Sequence, residues 1–366
     1  MAQLEPIWAL GLMSGTSMDG VDGAMLMTEG KAIHAFGESH FRPYSKAEQG
    51  VIAAAMGLWP DDDQAVLQAA QKVVHDAHLE VINHFPDTQI VGFHGQTLAH
   101  DPDGGRTHQL GDGAKLAKQA GLRVVWDFRS ADMKAGGQGA PLAPFFHHAC
   151  ARQMGMERPV AFVNLGGVGN VTLVDGSKYS PERADALLAF DTGPANAPIN
   201  DLMSARLGVA YDKDGAVAAK GVVHTDILET VFQNKYFLTK PPKSLDRNSF
   251  SELDALVENL STEDAAATLT ALAASCVYAA QMHFPRDPFR WFICGGGRKN
   301  ASLMNALRQR LGDKVEACEV IGLDGDMLEA QAFGYLAARV LYGLPTSSPT
   351  TTGCKEPVCG GVISDP

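Results

Sequence analysis

Apolar residues run together at Ile7-Trp8-Ala9-Leu10 and again at Ala24-Met25-Leu26-Met27, two short stretches that read as strands. Between them lies Gly11-Leu12-Met13-Ser14-Gly15-Thr16-Ser17-Met18-Asp19-Gly20-Val21-Asp22-Gly23, thirteen residues with four glycines, three hydroxyls and two carboxylates. Common hairpin loops hold about two to five residues, so a tip of this length and composition predicts a ligand rather than a corner. Backbone N–H groups of Gly15, Thr16, Ser17, Met18, Asp19, Gly20, Val21 and Asp22 are placed to converge on phosphate oxygens. Asp19 or Asp22 is placed to hold Mg²⁺ through water, because Mg²⁺ prefers oxygen ligands and keeps much of its hydration. The alternative is a tight turn whose Gly, Ser, Thr and Asp only satisfy turn geometry. No Gly-Lys-Ser/Thr closes the stretch and a strand follows it, which argues against P-loop and dinucleotide-binding folds.

The pattern continues with a strand at 21–28, a short turn at Thr28-Glu29-Gly30-Lys31 and a third strand near 32–41, an antiparallel meander. A helical stripe of Val66, Ala70, Val73, Val74, Ala77 and Val81 precedes a buried strand at Gln89-Ile90-Val91-Gly92-Phe93. Helix 112–120 and strand 122–126 then complete three strands, helix, strand, helix, strand, the ribonuclease-H-like order. The second half starts the same way, with strand 160–165, the glycine turn Gly166-Gly167-Val168-Gly169 and strand 170–174. Strand 187–190 ends on Asp191, a polar, proline-bearing insertion spans about 211–255, and a long helix follows, striped by Leu269, Leu272, Cys276 and Ala280. Strand 290–294 enters Gly295-Gly296-Gly297-Arg298, and helix 301–311, a strand near 315–321 and a helix over 326–342 close the chain. The expectation is an α/β protein of duplicated ribonuclease-H-like lobes flanking a central cleft, residues 1–133 and 134–366. The C-terminal helix is left the option of packing back on the first lobe. Opposed glycine hairpins then suggest an ATP clamp.

At 366 residues, 45% hydrophobic and 20% charged, the chain is globular and long enough for two cores. Its formal net charge of −12 disfavours nucleic acid or an anionic membrane as the main partner, leaving a small molecule. The start Met1-Ala2-Gln3-Leu4-Glu5-Pro6 has no basic-then-apolar leader, and no apolar run reads as membrane-spanning, so a cytoplasmic protein is expected. Six cysteines scatter without a CxxC, as reduced thiols do, with Cys354 and Cys359 expected at the surface.

Taken together, Gly11 to Asp22, Gly92-Phe93-His94-Gly95-Gln96-Thr97, Asp127-Phe128-Arg129, the run 135–144, Asn164-Leu165-Gly166-Gly167, Asp191-Thr192-Gly193-Pro194-Ala195-Asn196 and Gly325-Asp326-Met327-Leu328-Glu329-Ala330 resemble the anhydro-N-acetylmuramic acid kinases, within the sugar kinase, Hsp70 and actin superfamily. The segments run in family order across nearly the whole chain. One departure lies at Pro241-Pro242-Lys243-Ser244-Leu245-Asp246-Arg247, where the family commonly shows a Ser-Thr-Gly-Arg-like stretch, and the tail after Gly353 runs past many relatives. The resemblance implies an actin-like ATPase fold, ATP with Mg²⁺, a homodimer and a role in peptidoglycan recycling. It also implies a reaction in which water opens the 1,6-anhydro bridge while the freed O6 takes the γ-phosphoryl group of ATP, giving N-acetylmuramic acid 6-phosphate and ADP. An inverting glycosidase uses two carboxyl groups; here one suffices, since the phosphoryl group captures the leaving oxygen.

Asp191, where an apolar strand ends before a helix, is the expected general base, and the resemblance marks the same position. The alternative is an N-cap for a helix starting near Pro194. His94, Gln96, Asp127 and Arg129 at strand ends, with Gln138 and Glu329, are assigned to the sugar, whose hydroxyls, acetamide and lactyl carboxylate call for donors, acceptors and a cation. For these the alternatives are a satisfied buried His94, a local ion pair of Arg129 with Asp127 or Asp132, and Glu329 complementing a helix dipole. Gly166, Gly167, Gly295, Gly296 and Gly297 join the first hairpin as nucleotide-binding positions. Two rival classes remain at this point: an ATPase of the same superfamily driving conformational change, and a non-catalytic sensor.

Overall fold

The computed structural model describes residues 4–246 and 249–366; Met1, Ala2 and Gln3 at the start, and Arg247 in the departing stretch, lie outside the described residues. Elements follow in the order β1 (Ile7–Ser14), β2 (Gly20–Thr28), β3 (Ile33–Pro43), α1 (Lys46–Ala55), α2 (Gln64–Asn83), β4 (Ile90–Asp101), β5 (Arg106–Leu110), α3 (Gly113–Ala120), β6 (Val124–Trp126), α4 (Ser130–Lys134) and α5 (Pro144–Gln153). Next come β7 (Val160–Leu165), β8 (Val168–Val174), β9 (Leu187–Pro194), α6 (Asn196–Leu207), α7 (Thr225–Val231), α8 (Leu253–Val257) and α9 (Thr262–Ala280). The chain ends with β10 (Trp291–Cys294), α10 (Ala301–Leu311), β11 (Val315–Ala317), α11 (Leu328–Leu341) and β12 (Val362–Ser364).

Two compact units result: Met1–Gly155 with Lys178–Ala186 and Met327–Pro366, and Met156–Ser177 with Leu187–Asp326. The boundary therefore differs from the sequence division at 133/134. Residues up to Gly155 stay with the first unit because α5 packs on α11, and 178–186 join it because Glu182 pairs with Arg339 of α11, a guanidinium only 1% exposed.

In the first unit the sheet order is β12-β6-β4-β1-β2-β3, with β5 attached to β4. The β1–β2 and β2–β3 pairs are antiparallel, and β1–β4 and β4–β6 are parallel. The second unit repeats the plan as β11-β10-β7-β8-β9, again with an antiparallel meander followed by two parallel strands. Both sheets thus have the ribonuclease-H-like order.

Helix α11 lies directly on β1, β2 and β4. A Cβ at Gly11 would overlap the Ala330 carbonyl and one at Gly92 the Phe333 carbonyl, so these two glycines serve close helix-to-sheet approach and not a ligand.

Strand pairing also shortens the first hairpin. β1 runs to Ser14 and β2 starts at Gly20, with Met13 opposite Asp22, so the loop is the five-residue run from Gly15 to Asp19. Gly20, Val21 and Asp22, expected to hold phosphate, instead pair with Pro43, Arg42 and Phe41, and Val21 is fully buried. These central strands are covered on both faces, so they lack the polar-apolar alternation that would have revealed them.

Helix α9 with its following turn, Thr262–His283, is long and apolar enough to span a membrane by length and composition, contrary to the sequence reading, yet 72% of that window is buried in the second unit. Its Leu269, Leu272 and Cys276 pack against Ile227, Val231, Phe237 and Phe250 of the insertion. Cys354 is buried, against expectation, while Cys359 is exposed. The tail is ordered onto the first unit, where β12 pairs antiparallel with β6.

Candidate active site

In the first unit the Gly15–Asp19 loop closes with Met18 N–H on the Gly15 carbonyl at 3.1 Å, and Ser17 Oγ donates to Asp19 Oδ1 at 2.7 Å. Asp19 and Thr16 are exposed. Among the described residues no group of three or more His, Cys, Asp or Glu side chains gathers to hold a metal. A single exposed carboxylate fits Mg²⁺ that is held mainly by nucleotide oxygens and water.

Gln96, assigned from sequence to the sugar, is fully buried and its amide is occupied. It accepts the Ser14 hydroxyl at 2.6 Å and donates to the Gly15 carbonyl at 3.1 Å, so it braces the hairpin loop.

Arg129 sits beside His94, with Nε and Nη2 at 3.2 and 2.9 Å from His94 Nε2, and its Nη1 donates to the Gly139 carbonyl at 2.6 Å. Burial, together with the Arg129 charge, holds His94 neutral, its pKa well below the usual imidazole value. Since Nε2 accepts from Arg129, Nδ1 carries the proton and donates to the Gly95 carbonyl at 2.8 Å. His94 therefore orients Arg129. Desolvation lowers the Arg129 pKa to about 10, partly offset by the Glu329 and Asp132 carboxylates, so the guanidinium stays charged at neutral pH.

Asp127, at φ 50°, accepts the Ser130 hydroxyl at 2.5 Å. Neither Asp127 nor Asp132 hydrogen-bonds Arg129; their partners are Ser130 and, for Asp132, Gly139, Ser347 and Thr352. A pocket of about 110 Å³ opens here, lined by His94, Thr107, Gln109, Trp126, Asp127 and Ser130 among others. Sequence reading missed β5, which supplies Thr107 and Gln109, although the Asp103-Gly104-Gly105 turn before an alternating run is a hairpin signal. Gln138 is half-buried, and Glu329 is exposed in the first turn of α11.

In the second unit Gly166 and Gly167 form a two-residue turn between β7 and β8. Their carbonyls accept the N–H groups of Ala195, Asn196 and Ala197, which fastens the start of α6. Gly295, at φ 69°, leaves no room for a Cβ beside Asn164 Oδ1, whereas a Cβ at Gly296 would meet no atom within 4 Å. Packing thus explains Gly295 but not Gly296, whose surroundings are open to a ligand.

Asp191 lies within β9, opposite Asn170 and beside a bulge that leaves Thr192 unmatched, and not at the strand's end. It is no N-cap: that position is Ala195, which makes no side-chain cap. Three bonds tie Asp191 to the insertion. Its N–H donates to the Lys243 carbonyl at 3.0 Å, its Oδ2 accepts Leu245 N–H at 2.8 Å, and its carbonyl accepts the Tyr236 hydroxyl at 2.5 Å. Desolvation pushes the Asp191 carboxyl up to about 7, the Leu245 N–H pulling the other way. Nearby, Lys243 is 6% exposed, donates to the Tyr236 carbonyl at 2.8 Å and lies 4.3 Å from the Tyr236 ring centroid. Burial lowers its pKa to about 8. Tyr236, Lys243 and Leu245 carried no periodic or motif signal, because all three fall in the polar, proline-bearing insertion, the last two in its departing stretch.

A family model described as anhydro-N-acetylmuramic acid kinase matches residues 7–366. The chain is 55% identical to the anhydro-N-acetylmuramic acid kinase of Ruegeria sp. (strain TM1040), covering 99% of this chain and 96% of that protein. It is 54% identical to that of Roseobacter denitrificans, covering 100% and 96%. Among solved structures, the activator of the 2-hydroxyisocaproyl-CoA dehydratase from Clostridium difficile with bound ADPNP aligns at a TM-score of 0.45 and 14% identity, over 92% of this chain and 96% of that one.

Proposed function

The chain belongs to the anhydro-N-acetylmuramic acid kinase family, and we propose that within that family's reaction Asp191 is the general base. The protein is an ATP-dependent sugar kinase that hydrolyses the 1,6-anhydro bond of anhydro-N-acetylmuramic acid and phosphorylates O6 in peptidoglycan recycling. The assignment of the base is carried by one observation: a carboxylate with a single hydrogen bond on Oδ2, desolvated until its pKa sits near 7. A base works best when its pKa lies near the operating pH.

In this reading Asp191 takes a proton from water as its oxygen bonds to the anomeric carbon. The C1–O6 bond breaks, its electron pair stays on O6, O6 bonds to the γ-phosphorus, and ADP leaves. No separate acid is required. Arg129, oriented by His94, supplies the cation for the lactyl carboxylate, with Gln138, Asp127 and Glu329 offering further polar contacts. Gly15 to Asp19, Gly166-Gly167 and Gly295 to Gly297 are the proposed nucleotide contacts. Asp19 would hold Mg²⁺ through water, and the ion, when bound, neutralises charge on the transferred phosphate. A cytoplasmic homodimer belongs to the same proposal and rests on the family resemblance; sedimentation of the purified protein checks the dimer.

ADP release measured with and without anhydro-N-acetylmuramic acid tests the function. Strong stimulation by the sugar is expected. Equal hydrolysis in both would instead indicate an ATPase without sugar chemistry.

A further inference from the structure

Asp132 is 1% exposed, lies in α4 just before the glycine-rich loop 135–140, and has no part in the chemistry above. Its two oxygens are shared between segments far apart in sequence. Oδ2 accepts the Gly139 N–H at 2.8 Å. Oδ1 accepts the hydroxyls of Ser347 and Thr352 from the C-terminal tail, the latter at 2.6 Å. The tail also grips the loop directly, since Gln138 N–H donates to the Thr352 carbonyl at 2.7 Å and Lys355 N–H to the Ala135 carbonyl at 3.4 Å. A Cβ at Gly137 would collide with the Asp132 carboxylate, so the loop folds tightly over it. Gly139 then offers its carbonyl to Arg129 Nη1 at 2.6 Å.

These bonds form one continuous path from Ser347 and Thr352 through Asp132 and Gly139 to Arg129. A buried carboxylate is costly unless its oxygens are satisfied, so each donor on Asp132 constrains the position of the others. We propose that Asp132 is a positioning residue for sugar binding, and that the C-terminal tail, acting through Ser347 and Thr352, sets the loop bearing Gln138 and the Gly139 carbonyl that aims Arg129. This rests on the reading that Arg129 and Gln138 meet the sugar. The segment between α11 and Gly353 that carries Ser347 and Thr352 thereby becomes part of the sugar site's support.

The test compares full-length wild type with Asp132→Asn, the double variant Ser347→Ala/Thr352→Val, and Arg129→Met, measuring KM for anhydro-N-acetylmuramic acid, KM for ATP, kcat and melting temperature. Asp132→Asn leaves one acceptor oxygen where the carboxylate has two, so it cannot accept from both the Gly139 N–H and the Ser347 and Thr352 hydroxyls in the present arrangement; the double variant removes only those two hydroxyls. Both are expected to raise the sugar KM by about ten- to a hundred-fold, as misplacement near 1 Å does, with the ATP KM within about twofold. Should Asp132→Asn fail to fold, the double variant decides alone. An unchanged sugar KM in the folded double variant, or equal rises in both KM values, overturns the proposal. If Arg129→Met itself leaves the sugar KM unchanged, the sugar reading fails first and the proposal falls with it.

Discussion

The phenolic hydroxyl of Tyr236 donates to the main-chain carbonyl of Asp191 at 2.5 Å, fastening the insertion between α6 and α9 to the strand that carries the candidate base. Removing that hydroxyl leaves a carbonyl without its donor at a cost of about 1–3 kcal/mol and loosens the segment whose Leu245 N–H holds the Asp191 carboxylate. Tyr236→Phe should therefore lower kcat by about tenfold with the ATP KM little changed. Steady-state kinetics check this, and an unaltered kcat would show that the insertion does not set the base.

Asp191→Asn should cut kcat by about 10²–10⁴-fold, the usual loss for a general base, while ATP binding, read by calorimetry, persists. Stability should move the other way. The folded carboxyl titrates near 7, above its unfolded value, so the fold favours the protonated form. That advantage is complete below the unfolded pKa and is lost as pH rises through about 7. At pH 8 the variant should melt higher than wild type, and a lower melting temperature would contradict the burial argument.

The same titration shapes activity. Only ionised Asp191 accepts a proton, so kcat/KM should fall about tenfold per pH unit below about 7. A profile flat from pH 8 to pH 5 would remove Asp191 as the base.

Gly11 and Gly296 should respond oppositely to side chains. Gly11→Ala forces a Cβ into the Ala330 carbonyl and should prevent folding or lower the melting temperature sharply. Gly296→Val meets open space, so the fold should survive while ATP affinity drops and sugar affinity holds. Circular dichroism with calorimetry separates the two, and wild-type ATP affinity in Gly296→Val would exclude that loop from the nucleotide site.

Acid should destabilise the first unit through its buried histidines. Burial lowers His78 and His148 to about 4 and His147 to about 3, with the respective side chains 0%, 1% and 5% exposed. The fold keeps them neutral, so their contribution is complete above the unfolded value near 6.5 and is lost as pH falls towards the folded pKa values. Each contributes a slope of about 1.4 kcal/mol per pH unit in that window. Denaturant midpoints between pH 7 and pH 5 should fall steeply in wild type and less so in His147→Phe.

Local pattern revealed the order of the elements because burial repeats with the period of a helix or strand, and it marked the glycine turns, Arg129 and Asp191 because their residue types are unusual where they stand. It did not reveal what packs on what. Gly11 and Gly15 read alike in sequence, yet α11, more than three hundred residues away, lies against Gly11. Gln96 looked like a ligand contact until Ser14 and Gly15 took up its amide. The cradle of Asp191 comes from residues 236–245, and the partners of Asp132 from the tail at 347 and 352. Such pairings are invisible to periodicity, which reports only which face of an element is buried; the partner, and with it the pKa and purpose of a polar group, is decided when distant segments close around it and exclude water.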